Sequence, residues 1–454
     1  MKLRLIDPEV TSVSTREGRL SLKTLFVPLF IEQLLMNLMG TVNTLVLGHY
    51  SDEAVAAVGA ANQVISLVFT FYAVVSGGTS IVISHRLGAG KRKEASDAAF
   101  TSLCFAGVLS LVCSAALTAF AMPVMRMLNL EGEVLSMAER YFRIVIGFSF
   151  FQGIISAASA ILRSYGKPRL AVGASVLMNA VNALLNYLVV FRPVEIPLRG
   201  AEGIGVSNVI AHLAAMIVIL ICLARARLGL EFGKKNLRTL LCLPSILKVG
   251  VPGGVSNLSY SLSQVVSTSI LGVLGTLALS TKVYISSVVF YVYVVGMSLG
   301  LSTAILMGWM TGAKEYDKAY RLNQQVLKLA VSLNIVLSVL LFLFYRPVLG
   351  LFTRNPEILD MARIVLFIDI FVEIGRAFNH VEDNSLRGAG DVVFPMAVSI
   401  VSCWLMSILF SYILGIRLGL GLKGCWIAFM MDELFRGLIF WRRFKSRKWM
   451  EKKV

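Results

Sequence analysis

The sequence predicts an all-α membrane protein of about twelve transmembrane helices, built as two six-helix lobes related by a parallel internal repeat. Composition points there first. Hydrophobic residues make up 57% of the 454-residue chain and charged ones 15%, with a mean hydropathy of +0.77; soluble domains carry about 25% charged residues. Second, runs such as 98–122 and 171–191 are almost free of charge, matching the roughly 20 residues a helix needs to cross the hydrocarbon core. Third, the sequence repeats at a constant offset of 224 positions. Val27-Pro28 recurs as Val251-Pro252, Leu47-Gly48 as Leu271-Gly272, and Leu162-Arg163 with Gly166 as Leu386-Arg387 with Gly390. The segment 78–89 falls in the same way on 302–313. A long fixed period marks duplicated architecture, and six spans per copy start both copies on the same side of the membrane. Alternating segments with turn signals, which would mark a membrane barrel, are absent. Helices satisfy their own backbone hydrogen bonds in lipid.

Taken in order, residues 1–21 are polar and mixed in charge and read as a cytoplasmic segment without a secretory leader. The first lobe, 22–224, holds spans at 22–47, 55–83, 97–121, 138–162, 170–191 and 203–224. Residues 225–246, basic and broken by Gly and Pro, read as a cytoplasmic linker. The second lobe, 247–440, holds spans at 247–271, 281–307, 323–345, 361–386, 393–415 and 420–440, and a basic tail closes the chain at 441–454.

A formal charge of +17 could suggest nucleic acid, but its placement argues otherwise. Basic residues gather in alternate loops, at Lys2, Arg4, Arg16, Arg19 and Lys23, then Arg86 to Lys93, then Arg163 to Arg169. They return at Arg225, Arg227, Lys234, Lys235 and Arg238, at Lys314, Lys318 and Arg321, and from Arg442 to Lys453. The loops between, at 49–53, 126–133 and 192–202, are sparse or balanced. This positive-inside pattern places both termini in the cytoplasm of a multi-pass protein of the plasma (inner) membrane. Six cysteines (Cys104, Cys113, Cys222, Cys242, Cys403, Cys425) are scattered without the clustering that metal ligation or a disulfide framework needs, and read as apolar packing. No cofactor is expected.

Polar side chains inside a membrane are costly and usually functional. On the first helix Gln33, Asn37, Gly40, Asn43 and Thr44 recur at steps of three and four and share a face. The offset of 224 carries them to Asn257, Ser261, Gln264, Ser267 and Thr268 on the seventh helix, beside Tyr260, whose ring can stack on a ligand. Gln33, Asn37, Asn43, Asn182, Asn186, Asn257, Tyr260 and Gln264 are the candidate substrate-cavity residues; hydrogen bonding between packed helices is the alternative for each. The tenth helix carries Asp369, Glu373, Arg376, His380, Asp383 and Arg387 on one face with neighbours able to pair. That stripe runs about 27 Å, nearly the hydrocarbon thickness, so it must face protein or water. Asp432, Glu433 and Arg436 on the twelfth helix lie at similar depth to Glu373 and Arg376. Three carboxylates against two guanidiniums leave one acid over, and an unpaired carboxylate in low dielectric suits proton uptake and release. Glu373, Arg376, Asp432, Glu433 and Asp369 are therefore candidates for coupling to H+ or Na+, with a static salt-bridge network as the alternative. Glu32, the carboxylate placed in the interior of the first lobe, joins them, with pairing to an amide as its alternative. His212 beside Asn208 reads as a hydrogen-bonded core histidine.

Several segments carry a family resemblance. GTSIVISHRLGAGKRKEA at 78–95 and SYGKPRLAVGASVLMNAVNALLNY at 164–187 look like the MATE (multidrug and toxic compound extrusion) family. LRGAGDVVFP at 386–395 and GCWIAFMMDELFRG at 424–437 resemble a bacterial branch near its DNA-damage-inducible subgroup. The resemblance covers almost the whole chain from about residue 20. It implies two six-helix lobes around a central cleft open alternately to each side, expelling small amphipathic, cationic compounds against inward sodium or proton flow. The sequence departs from the family where Asn43 stands in the place of a common first-helix Asp, and Asn186, four after Asn182, in the place of a fifth-helix Asp. Acids used in the seventh and tenth helices of the sodium-coupled branch fall at Tyr260 and Arg376. The resemblance thus shifts coupling to the second lobe. A lipid-linked oligosaccharide flippase of the same superfamily is the alternative transporter, kept open by Arg376 and Arg436. A membrane-embedded transferase is the alternative of another class, but it would want acids or histidines near a long loop, and all the loops are short. A monomer is expected.

Overall fold

The computed structural model describes residues 7–15, 18–48, 50–128, 130–191, 200–226, 228 and 242–452. Lys2, Arg4, Arg16, His49, Arg192, Arg227, Lys234, Lys235, Arg238 and Lys453, with most of the linker, lie outside the described residues. The first half comprises a short hairpin, β1 (Ser12–Thr15) and β2 (Gly18–Ser21), then α1 (Leu22–Gly48), α2 (Asp52–Gly88), α3 (Arg92–Ala119), α4 (Ala121–Arg126), α5 (Gly132–Gly147), α6 (Phe150–Ser164), α7 (Pro168–Phe191) and α8 (Gly200–Arg225). The second comprises α9 (Leu243–Val273), α10 (Thr276–Gly312), α11 (Tyr316–Leu343), α12 (Tyr345–Leu349), α13 (Pro356–Gly388), α14 (Val393–Ser402) and α15 (Gly421–Lys445). Eight spans, with α5 and α6 as a ninth bent one, are long and apolar enough to cross a membrane. The three other long helices, α9, α13 and α15, carry the polar and charged residues singled out above in the second lobe. Together they make the twelve-helix, two-lobe bundle.

Contacts divide the chain into two compact units. One is Val27–Leu87 with Lys91–Gly254; the other is Met1–Phe26 and Gly88–Gly90 with Val255–Val454. In the first, α7 and α8 pack together, α5 and α6 pack against α8, and α3 packs against α5 and α6. In the second, α13 packs against α10, α11 and α15, and glycine makes the close approaches possible. A Cβ on Gly375 would stand 2.7 Å from the carbonyl carbon of Glu433, and one on Gly388 2.6 Å from the Ala304 carbonyl oxygen. Small residues at such crossings are the usual device for bringing membrane helices together.

Three elements depart from the sequence reading. The hairpin orders part of the expected N-terminal segment: the backbone N–H of Asp7 donates to Gln325 Oε1 on α11. The expected single span at 138–162 is two helices bent by 44°. At the bend the chain runs through i→i+3 bonds from Phe151 to Phe148 and Gln152 to Ser149, so carbonyls lose their helical partners. Ser114 Oγ on α3 lies 2.6 Å from both the Ile146 and Gly147 oxygens and takes up that loss. The span expected at 393–415 continues α14 as two π-helical stretches, Cys403–Leu409 and Ser411–Arg417.

The repeat is visible in backbone conformation. Four helices end in the same cap, in which an N–H bonds back five residues: Lys91 to Arg86, Lys167 to Leu162, Glu315 to Met310 and Asp391 to Leu386. This is the Schellman bond, and it needs a left-handed residue just before the donor. Those residues are Gly90, Gly166, Lys314 and Gly390, with φ of 74°, 79°, 62° and 92°. Gly90 pairs with Lys314, and Gly166 with Gly390, at the offset of 224. Lys314 alone carries a Cβ into that region, at a cost of about 1–2 kcal/mol. Lys314→Gly is expected to stabilise the protein by about 1 kcal/mol, read as a raised Tm in detergent; an unchanged or lower Tm would show that the turn stores no strain.

Candidate functional site

The second unit concentrates its ionisable groups where α13 meets α15. Glu373 is fully buried and Asp369, Asp432, Glu433 and Arg436 nearly so. Arg376 Nη1 lies 2.6 Å from Glu373 Oε1, and its Nε lies 3.8 Å from Glu433 Oε1. Arg436 Nη2 bridges Asp432 Oδ2 at 3.0 Å and Glu433 Oε1 at 2.9 Å. Glu433 is thus shared by both guanidiniums. The expectation of one acid left without an arginine is corrected here, because each of the three carboxylates Glu373, Asp432 and Glu433 contacts a guanidinium. Their i,i+3 and i,i+4 spacing on two adjoining helices, with Glu433 and Arg376 facing across the crossing, lets two cations serve three anions. Asp369, by contrast, accepts from Trp426 Nε1 at 3.0 Å. Lower on α13, Asp383 and Arg387 pair at 2.7 Å, and His380 lies edge-on to Tyr293 with 4.8 Å between ring centroids.

A ring of neutral donors completes the cluster, and the sequence reading passed over it. Asn334 Nδ2 on α11 donates to Glu373 Oε2 at 3.0 Å. Asn379 Nδ2 donates to both the carbonyl and the carboxylate of Glu433, and Ser402 Oγ donates to Asp432 Oδ1 at 2.5 Å. The Arg376 guanidinium stands 5.6 Å from the Tyr293 ring centroid. Buried charges hold together only when paired and hydrogen-bonded in this way. A signal was available for one of these donors: Asn334 is the sole amide in the apolar run from 329 to 343, eleven residues or three helical turns after Asn323.

On α9, Tyr260 lies within electrostatic reach of Arg376, Glu433 and Arg436 and is partly exposed, while Asn257 is exposed and Gln264 half-buried. Lys282 Nζ on α10 donates to Thr268 Oγ1 at 2.7 Å, beside the same stripe.

In the first unit the predicted residues separate into two groups. Asn43, Asn182 and Asn186 are buried together with Asn208. Asn186 Nδ2 donates to Asn43 Oδ1 at 2.6 Å and to Asn182 Oδ1 at 3.1 Å. Asn43 and Asn182 both donate to Asn208 Oδ1, at 3.2 and 2.6 Å. Asn208 in turn donates to the Tyr141 hydroxyl, which donates to Asn62. This is a network of neutral amides closed by one tyrosine hydroxyl: it orders α1, α2, α5, α7 and α8 and contains no carboxylate. Gln33, half-buried, and Asn37, exposed, stay outside it. His212 Nδ1 meets the Asn208 carbonyl at 2.7 Å, as a hydrogen-bonded core histidine does. Glu32 is held not by an amide but by Arg163, whose Nη1 lies 2.9 and 3.0 Å from its two oxygens; Arg163 had been read as a loop residue.

A family model described as MatE matches the chain twice, at residues 28–188 and 252–413. The two matches begin 224 positions apart, at Pro28 and Pro252, which is the offset of the internal repeat. The chain is 35% identical over 434 residues to the uncharacterized transporter YisQ of Bacillus subtilis, covering 95% of each. It is 27% identical to the probable multidrug resistance protein NorM of Thermotoga maritima, covering 100% of this chain and 98% of the relative. Among solved structures it superposes at a TM-score of 0.86, with 20% identity, on a MOP superfamily transporter from Pyrococcus furiosus, over 95% of this chain and 96% of that one. It superposes equally well on one described as an outward-facing multidrug resistance MATE family transporter. The duplicated bundle, the matched repeat and the near full-length relatives lead to one conclusion: the chain belongs to the MatE family.

Proposed function

We propose that this protein is a secondary active exporter of small amphipathic organic cations, driven by inward H+ or Na+ through the second lobe. It works by alternating access between its lobes in the inner membrane, with both termini cytoplasmic. The observation that carries the reading is the α13–α15 cluster, four buried carboxylates (Asp369, Glu373, Asp432, Glu433) against two guanidiniums. Such an excess of acid inside a bilayer is expensive unless a cation or proton enters it. The relatives named as probable multidrug resistance proteins support the substrate class. The polar faces of α1 and α9, with Gln33, Asn37, Asn257, Tyr260 and Gln264, are the surfaces proposed to meet substrate. Because Arg376 and Arg436 are both held by carboxylates, the cluster presents no free cationic surface to an anionic lipid-linked sugar.

Proteoliposomes loaded with a fluorescent organic cation such as ethidium, under separately imposed sodium and pH gradients, test the reading. Wild-type protein is expected to move the dye under one gradient. Glu373→Gln, Asp432→Asn and Glu433→Gln are each expected to lower the gradient-driven rate by about tenfold or more. Dye movement that ignores both gradients, or three variants with undiminished coupling, would remove this function.

A further inference from the structure

Glu382 sits on α13 outside the charged stripe, and its surroundings differ from those of every carboxylate described so far. It is fully buried. Its Oε2 accepts from Asn323 Nδ2 at 3.1 Å, and the same amide donates to Ser385 Oγ at 3.0 Å. Its Oε1 is buried without a hydrogen-bond partner among the described residues. Helix α11 therefore offers one asparagine to each of two buried glutamates of α13, Asn334 to Glu373 and Asn323 to Glu382. The two sites differ at the second oxygen. Glu373 has Arg376 there at 2.6 Å; Glu382 takes part in none of the ion pairs among the described residues.

The surrounding elements supply no cation. Helix α10 carries no charged residue from 283 to 312. Arg321 and Lys328 of α11 point to the exposed side of that helix. On α15, Arg436 is held by Asp432 and Glu433, and Arg443 by Asp391. On α13 itself, Arg387 is held by Asp383. An ionised carboxylate with one neutral donor and one bare oxygen is the arrangement that buried sites avoid. A carboxylic acid meets the same surroundings without net charge, and it brings its own donor. Asn323 turns its N–H groups, not its carbonyl, toward the site, which suits an acid and not a metal cation.

We propose that Glu382, with Asn323 and Ser385, is a proton-binding site separate from the arginine-paired cluster, holding one exchangeable proton that moves during transport. The binding stands on the geometry alone; the movement rests on the exporter reading given above. Infrared difference spectroscopy of the full chain in lipid nanodiscs tests the binding. At neutral pH the wild type is expected to show a protonated-carboxyl carbonyl band that shifts in D2O and vanishes in Glu382→Gln. In Asn323→Ala the band is expected to persist at higher frequency, because the acid loses a hydrogen bond. A spectrum identical in wild type and Glu382→Gln, or a band unmoved by Asn323→Ala, overturns the site. Proteoliposomes separate the rest. Glu382→Gln is expected to lose pH-driven dye export, and full pH-driven export by that variant overturns the movement. A wild type that exports nothing under any gradient, yet keeps the band, would fault the exporter reading and leave the binding site standing.

Discussion

Replacing Arg436 by leucine is expected to cost about 3–5 kcal/mol of stability, the usual loss when one partner of a buried ion pair is removed. The size follows from the geometry. Arg436 meets Asp432 at 3.0 Å and Glu433 at 2.9 Å, and all three side chains are nearly buried. Without the guanidinium, Asp432 keeps one hydroxyl donor, Ser402, and Glu433 keeps Asn379 and a distant Arg376 at 3.8 Å. Two carboxylates a residue apart would then face each other in low dielectric. Chemical denaturation in detergent, followed by tryptophan fluorescence, reads the loss. The triple variant Arg436→Leu, Asp432→Asn, Glu433→Gln is expected to recover most of it, because replacing all partners by neutral groups removes the uncompensated charge. A single variant within 1 kcal/mol of wild type would mean that water reaches the cluster freely.

Gly375→Ala is expected to damage the second lobe through a single added methyl. The added Cβ would stand 2.7 Å from the Glu433 carbonyl carbon, 2.8 Å from its Cβ and 2.8 Å from the Leu434 nitrogen. Two of those atoms are backbone, so neither helix can yield by turning a side chain. Gly437 makes the reciprocal approach, its Cβ position lying 2.8 Å from Phe378 Cβ. Overpacking of this kind costs about 1–3 kcal/mol, and separation of α13 from α15 also stretches the Asn379–Glu433 and Arg376–Glu433 contacts. Stability and gradient-driven dye export are expected to fall together. Gly59→Ala, with open space around the added methyl, is the matched control and is expected to behave as wild type. Equal behaviour of the two variants would show that the crossing is loose.

Much of this architecture was legible before any coordinates, for definable reasons. A duplicated chain writes its period into the sequence, and the caps at Gly90 and Lys314, and at Gly166 and Gly390, show that the period preserves backbone conformation even where the side chain has changed. The charged stripe on α13 was readable because ionisable residues are conspicuous in an apolar span. Pair geometry was not. Spacing along one helix placed Glu373 near Arg376, but only the α13–α15 crossing shows that Glu433 is shared by two arginines. Asn43 and Asn186, each read as standing in an acid's place, turn out to touch each other at 2.6 Å. Glu382 escaped notice because it lies one position off the stripe that drew attention. The bend at Phe148 was signalled weakly, by Gly147 and Ser149, a pairing often found at kinks but common in straight membrane helices too.

The contrast between the amide network and the ionic cluster has an electrical consequence. A transmembrane voltage does work only on charge, about 2.3 kcal/mol for one elementary charge carried across 100 mV. The asparagines of α1, α7 and α8 have none to offer, so polarising the membrane leaves that network energetically indifferent. The carboxylates of α13 and α15 outnumber their guanidiniums, so any displacement of that cluster along the membrane normal would be favoured or opposed by the field. The two halves of the repeat are therefore unequal: the first has amides in contact at its polar centre, and the second has ion pairs on which a field can act.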